Sequence, residues 1–340
     1  MSLTENTSLS VINEEDRKNK FISSILFSRA TIFHPSIRLT PSMVNKMHQI
    51  VELGGPDPKH PLESVHINSY GKDYRVDLHV NYLLQGHRDI LETLLAFGKT
   101  IRLDDDSYEA GKKFTWSKVF ETIDEGKLSS SQNPVFSDVL DSDATVLSMS
   151  MYDLAMQMGM TTSRQNYDQI EKRITQLSTA SLAVNELNDE GQILSTKNVS
   201  FISKYCFYCD ESKFKATSSS DKSRTNHVFI VPSPELLESI RDHGYFYRLE
   251  QKKMGNYSKA SVRSFLKYST THKSSYLHNK TLDWLIKKYI QSIASETSKS
   301  FKWDLKKDLL ASAEQIELDF GLHFETSENT KEVKIKYVGE

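Results

Sequence analysis

The chain has 340 residues, of which 38% are hydrophobic and 26% charged, and a formal net charge of −2. That length accommodates two domains with separate cores, and no apolar run reaches the length of a membrane span. The polar start, Met1 to Ser10, lacks the charged-then-apolar pattern of a secretory signal, so a cytoplasmic protein is expected.

Residues 1–62 read as an N-terminal arm and lead-in segment, with breakers at Gly54-Gly55-Pro56-Asp57-Pro58. Residues 63–80 alternate in part through Val65, Ile67, Tyr74, Val76, Leu78 and Val80, which predicts a hairpin turning near Gly71. Gly86 to Gly98 predicts a helix with Ile90, Leu91, Leu94, Leu95 and Phe97 on its apolar side. Asp104-Asp105-Asp106 sits in polar surroundings and reads as solvated acids, not a metal or catalytic cluster. Ser129–Ser131 and Ser218–Ser220 predict loops. The second lies in Lys213 to Asn226, almost without apolar residues, and marks the boundary between a first domain, 63–225, and a second, 226–340.

Met149 to Met158 carries Met151, Leu154, Ala155 and Met158 at helical spacing, and Gly159 ends it. Thr162 or Ser163 can cap a following helix that runs to about Ser178. Tyr167, Ile170, Ile174 and Leu177 line its apolar face; Gln165, Asp168, Gln169, Lys172 and Gln176 occupy the opposite one, flanked by Arg164, Asn166 and Arg173. Amides pair with adenine edges and cations with guanine or phosphate, so this surface suits a groove-reading helix as well as it suits a wet face. A hairpin signal at Asn188-Asp189-Glu190-Gly191 follows, where a wing would stand.

A second unit repeats the order. His227 to Val231 predicts a strand, Pro234 opens a helix ending near Gly244, and Tyr245 to Tyr247 predicts a short strand. Tyr257 to Ser269 and Thr281 to Ile293 predict helices. A third helix follows with Phe301, Leu305, Leu309 and Ile316 on one face and Lys299, Ser300, Lys302, Trp303, Lys306 and Lys307 on the other and its flanks. Phe320 to Phe324 and Val333 to Val338 predict a second wing-like hairpin. Residues 241–310 hold 15 Lys+Arg against 6 Asp+Glu, the local clustering a phosphate footprint requires. The expected fold is α+β, with two tandem winged-helix (helix-turn-helix plus β-hairpin) domains, and the lysines would meet phosphate in a salt-dependent way.

Cys206 and Cys209 form the only Cys-x-x-Cys, in an apolar run that reads as a strand. With no second pair and no suitable histidines, no metal site and no cofactor are expected. No phosphate-binding Gly-rich loop and no His-hydrophobic-His cluster are present; His272 with Tyr276 is the nearest pairing, so an enzyme is not expected.

His227 to Pro234, Gly244-Tyr245-Phe246-Tyr247-Arg248-Leu249, and Phe265 to Tyr276 followed by Thr281-Leu282 resemble corresponding segments of the plasmid replication initiators with tandem winged helices, of the TrfA type. The resemblance covers roughly residues 65–340 and is looser in Met151 to Val184. The family's basic balance is absent overall, and the stretches 104–145 and 210–226 have no counterpart. The resemblance implies a protein that binds direct repeats (iterons) of double-stranded DNA at an origin, helps open adjacent duplex, recruits the host replicative helicase and initiation proteins, and passes between a monomer and a homodimer. No membrane partner is implied. A winged-helix transcription regulator binding an operator is the alternative.

Overall fold

The computed structural model describes residues 21–52, 54–55, 60–69, 71–124, 139–208, 226–247, 251–294, 296–327 and 331–337. The predicted serine loops, most of the 213–226 boundary and Cys209 lie outside them. The fold is mixed α+β. Its first stretch holds β1 (Phe21–Ser24), α1 (Ile25–Arg29), β2 (Phe33–His34), α2 (Pro41–Glu52), β3 (Glu63–Ser69), β4 (Lys72–Leu78), β5 (Leu83–Leu84) and α3 (Gln85–Phe97). Next come β6 (Lys99–Ile101), α4 (Asp105–Glu109), β7 (Phe114–Thr115), α5 (Trp116–Asp124), β8 (Val139–Leu140), β9 (Val146–Ser150), α6 (Met151–Gln157) and α7 (Arg164–Thr179). Strands β10 (Leu182–Leu187), β11 (Ile193–Val199), β12 (Ile202–Tyr208) and β13 (His227–Pro232) follow, then α8 (Pro234–His243) and β14 (Gly244–Tyr247). The last part is α9 (Gln251–Met254), α10 (Ala260–Ser269), α11 (Ser274–Leu277), α12 (Leu282–Gln291), α13 (Phe301–Ala311), α14 (Ala313–Phe320), β15 (Leu322–Thr326) and β16 (Val333–Tyr337).

The hairpin expected over 63–80 forms as β3 and β4, and Gly71 supplies the positive φ, +77°, that its turn needs. It does not stand alone. β4 also pairs with β10, giving a four-stranded sheet in the order β11-β10-β4-β3. A second sheet runs β12-β13-β9-β6. In β13, Val228 and Ile230 enter the first large core, while Phe229 and Val231 enter a smaller one with Trp116, Val119 and Phe120. Successive strand residues face opposite sides, so both faces of this sheet are covered, which explains the unbroken apolar run Val228 to Val231.

Two features of the first core differ from the sequence reading. Part of the expected N-terminal arm is structural: β1 pairs antiparallel with β14, and Phe27, Ala30, Ile32 and Phe33 are buried beside Phe201. The division at 225/226 separates β12 from β13, which are adjacent strands; Val228, Ile230, Leu236 and Ile240 belong to the first core. The stretch 104–145, which has no counterpart in the resemblance, contains α4, β7, α5 and β8. Asp104 caps α4 by accepting the Ser107 N–H at 2.8 Å, an N-cap role that the run of three acids concealed.

The second core gathers Phe265, Leu266, Leu282, Leu285, Ile286, Tyr289, Leu305, Leu309 and Ile316 under the β15–β16 hairpin. Its third helix was expected as one element, but breaks at Ser312 (φ −107°, ψ 13°). Beyond the break, Asp319 accepts hydrogen bonds from the Tyr257 hydroxyl and from Gln315, both at 2.9 Å, and Phe320 packs on the Tyr257 ring. Those inward contacts give the segment after the break its own burial pattern.

The cores meet along α3 and α10. Every residue of α3 from His87 to Ala96 is buried, including Arg88, Asp89 and Glu92. Arg88 Nε donates to Glu92 at 2.7 Å, and Arg263 reaches Asp89 from α10 at 3.0 Å. Lys267, fully buried, bonds both Asp89 and Glu92. At one end of this seam Arg29 Nη2 donates to the Thr271 carbonyl at 3.1 Å, and the Thr31 and Ser292 hydroxyls lie 2.6 Å apart.

Candidate nucleic-acid interface

The predicted pair of helices in the first unit forms as α6 and α7. Ser150 caps α6 by accepting the Asp153 N–H at 3.0 Å, and Ser163 caps α7 by accepting that of Asn166 at 3.3 Å. Between them Gly159 takes φ +68°, and the Met160 N–H returns to the Ala155 carbonyl at 2.9 Å. This left-handed residue lets the chain leave α6 with its last carbonyls satisfied. Asn166 Nδ2 donates to the Thr161 carbonyl at 2.7 Å and hydroxyl at 3.0 Å, so that amide holds the turn.

Burial of Ile170, Ile174 and Leu177 seats α7 on the core. Each buried side chain of this size contributes about 1.5–3 kcal/mol. Arg164, Gln165 and Lys172 are exposed, and Gln169 is half-buried. Arg173 and Gln176 turn toward α3. A Cβ at Gly86 would stand 2.5 Å from the Arg173 guanidinium, so the missing side chain is the space that the arginine occupies. Gln176 accepts from His87 Nε2 at 2.9 Å, while His87 Nδ1 accepts the Leu84 N–H at 2.9 Å and caps α3. Burial pushes the His87 imidazole down to about 4.

The hairpin after α7 is β10–β11, turned at Gly191 with φ +79°. The Asn188 side chain accepts the Glu190 and Gln192 N–H groups at 3.0 and 2.8 Å. Residues 193–198 of β11 are exposed, including Leu194 at 63%. Because β10 also bonds β4, this hairpin is the outer edge of the four-stranded sheet.

In the second unit, Thr281 caps α12 and bridges to Lys334 of β16. Lys299 and Ser300 are exposed just before α13. Lys302 lies 3.2 Å from Asp283 on α12, and Lys306 also bonds Asp283. The hydrogen bond from Lys306 is the main cause of a lowered Asp283 pKa. Lys307 holds its ammonium 5.3 Å from the ring centre of Trp303, which is 65% exposed. The predicted residues thus form two groups, one on each core.

Sequence reasoning missed Asp283 as the carboxylate that engages two of the lysines. It precedes Lys302 by 19 positions, too far for helical spacing to signal the pair. Cys206 lies half-buried on β12, and burial raises its thiol to about 11. Among the described residues no His/Cys/Asp/Glu group could hold a metal ion, and no helix is long and apolar enough to cross a membrane.

No protein-family model matches the chain, and no curated protein matches it. Among solved structures, a crystal structure of domains 2 and 3 of RctB (a selenomethionine derivative) has a TM-score of 0.43 at 12% identity, covering 87% of this chain and 99% of that one. Another crystal structure of RctB domains 2–3 has a TM-score of 0.42 at 11% identity, covering 84% of this chain and 96% of that one.

Proposed function

We propose that the protein is a DNA replication initiator that binds repeated sites in duplex DNA through two winged-helix units. One observation carries the reading: the same order of parts occurs on both large cores. In the first, α6 and α7 precede the β10–β11 hairpin; in the second, α12 and α13–α14 precede the β15–β16 hairpin, where Thr281, just before α12, bridges to the hairpin itself, whereas β9, just before α6, bonds β6 and β13. In such units the last helix enters the major groove and the hairpin lies beside it. Helix α7 of the first unit, and α13 with the residues just before it in the second, carry exposed polar and cationic side chains, which supports that placement.

On the first unit, Arg164, Gln165 and Gln169 with Lys172 are suited to base edges and phosphate. On the second, Lys299, Ser300, Lys302, Trp303, Lys306 and Lys307 favour backbone contact, since point charges position a protein on DNA without reading sequence. Action at an origin, with opening of the duplex and recruitment of a replicative helicase, rests on the sequence resemblance. The proposal includes no catalytic turnover and no cofactor.

The test joins footprinting to replication. Purified protein is expected to protect direct repeats in DNA flanking its own gene, and a plasmid carrying that DNA should replicate only when the gene is present. Protection without replication, together with altered RNA levels, would instead identify an operator-binding regulator. A lack of protection anywhere in the flanking DNA would end both readings.

A further inference from the structure

At the edge of the seam, beside Arg29, the structure holds a groove of about 560 Å3. Its walls come from both cores. His66, Ile67 and Asn68 of β3 form one side; the end of α10, the segment to α11, and α12 form the other. Neither α7 nor α13 contributes to it.

Its surface has two kinds of chemistry. The first is aromatic. His272 and Tyr276 lie nearly parallel, 11° between planes with centroids 5.8 Å apart, and Tyr276 meets Trp284 edge-to-face at 5.8 Å. Tyr276 is half exposed, so ring surface remains open to a ligand. The second is cationic. Arg29, Lys273 and Lys288 line the groove, and among the described residues no Asp or Glu does. Lys280 adds its ammonium 5.9 Å from the Tyr276 ring centre and 5.5 Å from that of Trp284. Arg29 donates through Nη2 to Thr271, but its buried Nε has no hydrogen-bond partner among the described residues. A buried donor without a partner costs free energy unless a ligand or water meets it.

From these features we infer that the groove binds a nucleotide unit, with the base stacked against the Tyr276–Trp284 surface and the phosphate held by Arg29, Lys273 and Lys288. Planar rings interleaved with cations that have no carboxylate partner among the described residues suit a π-faced anion. The volume is that of a small-ligand site. An acidic peptide would satisfy the cations but would leave the rings without a planar partner. The segment from Phe265 to Tyr276, whose His272 and Tyr276 the sequence singled out without a role, supplies the aromatic wall. The same chemistry is offered by a free mononucleotide and by an unpaired nucleotide in a single strand.

The experiment uses the full chain. Calorimetric titration with dAMP and ATP tests the free ligand, and fluorescence anisotropy with labelled dT12 tests the single strand. Binding of at least one is expected, weakened about tenfold in Tyr276→Ala, as loss of a stacking ring predicts. Lys288→Glu, an exposed change on another helix, should weaken it comparably and guards against a folding defect in the first variant. Saturation by a mononucleotide assigns a free nucleotide; saturation by dT12 alone assigns an unpaired strand. The inference is overturned if neither probe binds at millimolar concentration, if both variants bind like the parent, or if polyglutamate competes as well as dT12. Duplex binding measured in parallel should be the same for parent and variants, so failure here is separable from failure of the duplex-binding proposal.

Discussion

Lys267 of α10 lies 3.3 Å from the Asp89 carboxylate of α3, with no solvent exposure, and so ties the second core to the first. Three cations, Arg88, Arg263 and Lys267, face two carboxylates, Asp89 and Glu92. Removing a carboxylate therefore enlarges the excess of buried positive charge, whereas removing Lys267 leaves each carboxylate an arginine. Glu92→Gln is expected to cost about 3–5 kcal/mol, the range for breaking a buried pair. Lys267→Met should cost less, since an apolar side chain of similar volume takes the space. Urea unfolding of both variants checks the ranking, and equal losses would contradict it.

The same seam sets an acid limit. Burial alone would raise the Asp89 carboxyl, but Lys267 and Arg263 outweigh it and hold the value below the ordinary 3.8. A carboxyl depressed on folding contributes stability that is present above its unfolded value and is lost as pH falls through the folded one. Asp89 is thus expected to have no effect on the pH dependence of stability above about pH 5, where the unfolded carboxyl is also ionised. Asp89→Asn should flatten the steep loss below that point in an acid titration followed by circular dichroism.

His87 acts in a milder range. Burial lowers it to about 4 from 6.5, so between those values the unfolded chain binds a proton that the folded chain refuses. Stability is then expected to fall as pH drops from 6.5 toward 4, by as much as ~3 kcal/mol for a shift of this size. His34, also lowered to about 4 by burial, adds to the same trend. In His87→Gln the slope of unfolding free energy against pH over that interval should shrink; an unchanged slope would exclude His87 as a source.

If α13 meets phosphate, Lys307→Ala should weaken binding to all duplexes alike and lower the salt slope by about one unit. Asp283 engages Lys302 and Lys306, so Asp283→Asn is expected to free both and raise affinity and slope together. Binding isotherms at several salt concentrations measure both effects. A tighter Lys307→Ala variant, or a weaker Asp283→Asn one, would remove α13 from the DNA.

On α7 the substitutions should divide by where the side chains point. Arg164→Ala, Gln165→Ala and Gln169→Ala are expected to relax preference at particular base pairs, by about 1–3 kcal/mol where the contact is bidentate. Arg173→Ala should chiefly lower stability, because its guanidinium fills the space over Gly86. Competition binding against single-base variants of the site, read beside melting curves, separates the two. Loss of sequence preference without loss of stability in Arg173→Ala would place that arginine on the DNA instead.

The sequence revealed what is local. The helix expected to run to about Ser178 spans Arg164–Thr179, and the turns at Gly71 and Gly191 stand where their neighbours predicted. Period and turn chemistry act over a few residues and leave their mark there. The seam was invisible for the opposite reason. Arg88, Asp89 and Glu92 look like the wet side of an amphipathic helix, and Lys267 partners Asp89 from 178 positions away. The (i, i+4) spacing of Arg263 and Lys267 among Val262, Phe265, Leu266 and Tyr268 was the available hint. At the candidate interface, residue type identified polar positions on α7, but not that Arg173 and Gln176 would be taken up by α3.

The pairing of β1 with β14 has a consequence for synthesis. Phe21 is among the first described residues, and its partner is Tyr247. Helix α1 and the buried Phe27 and Phe33 follow directly behind that strand. A nascent chain cannot complete this pairing until residue 247 has cleared the ribosome, so the N-terminal strand must wait while more than two hundred residues are added. Contacts so distant in sequence slow folding, and an unpaired strand edge left open in the meantime invites association. Production should therefore be sensitive to translation speed and chaperone supply well before any difference in the finished fold can be measured.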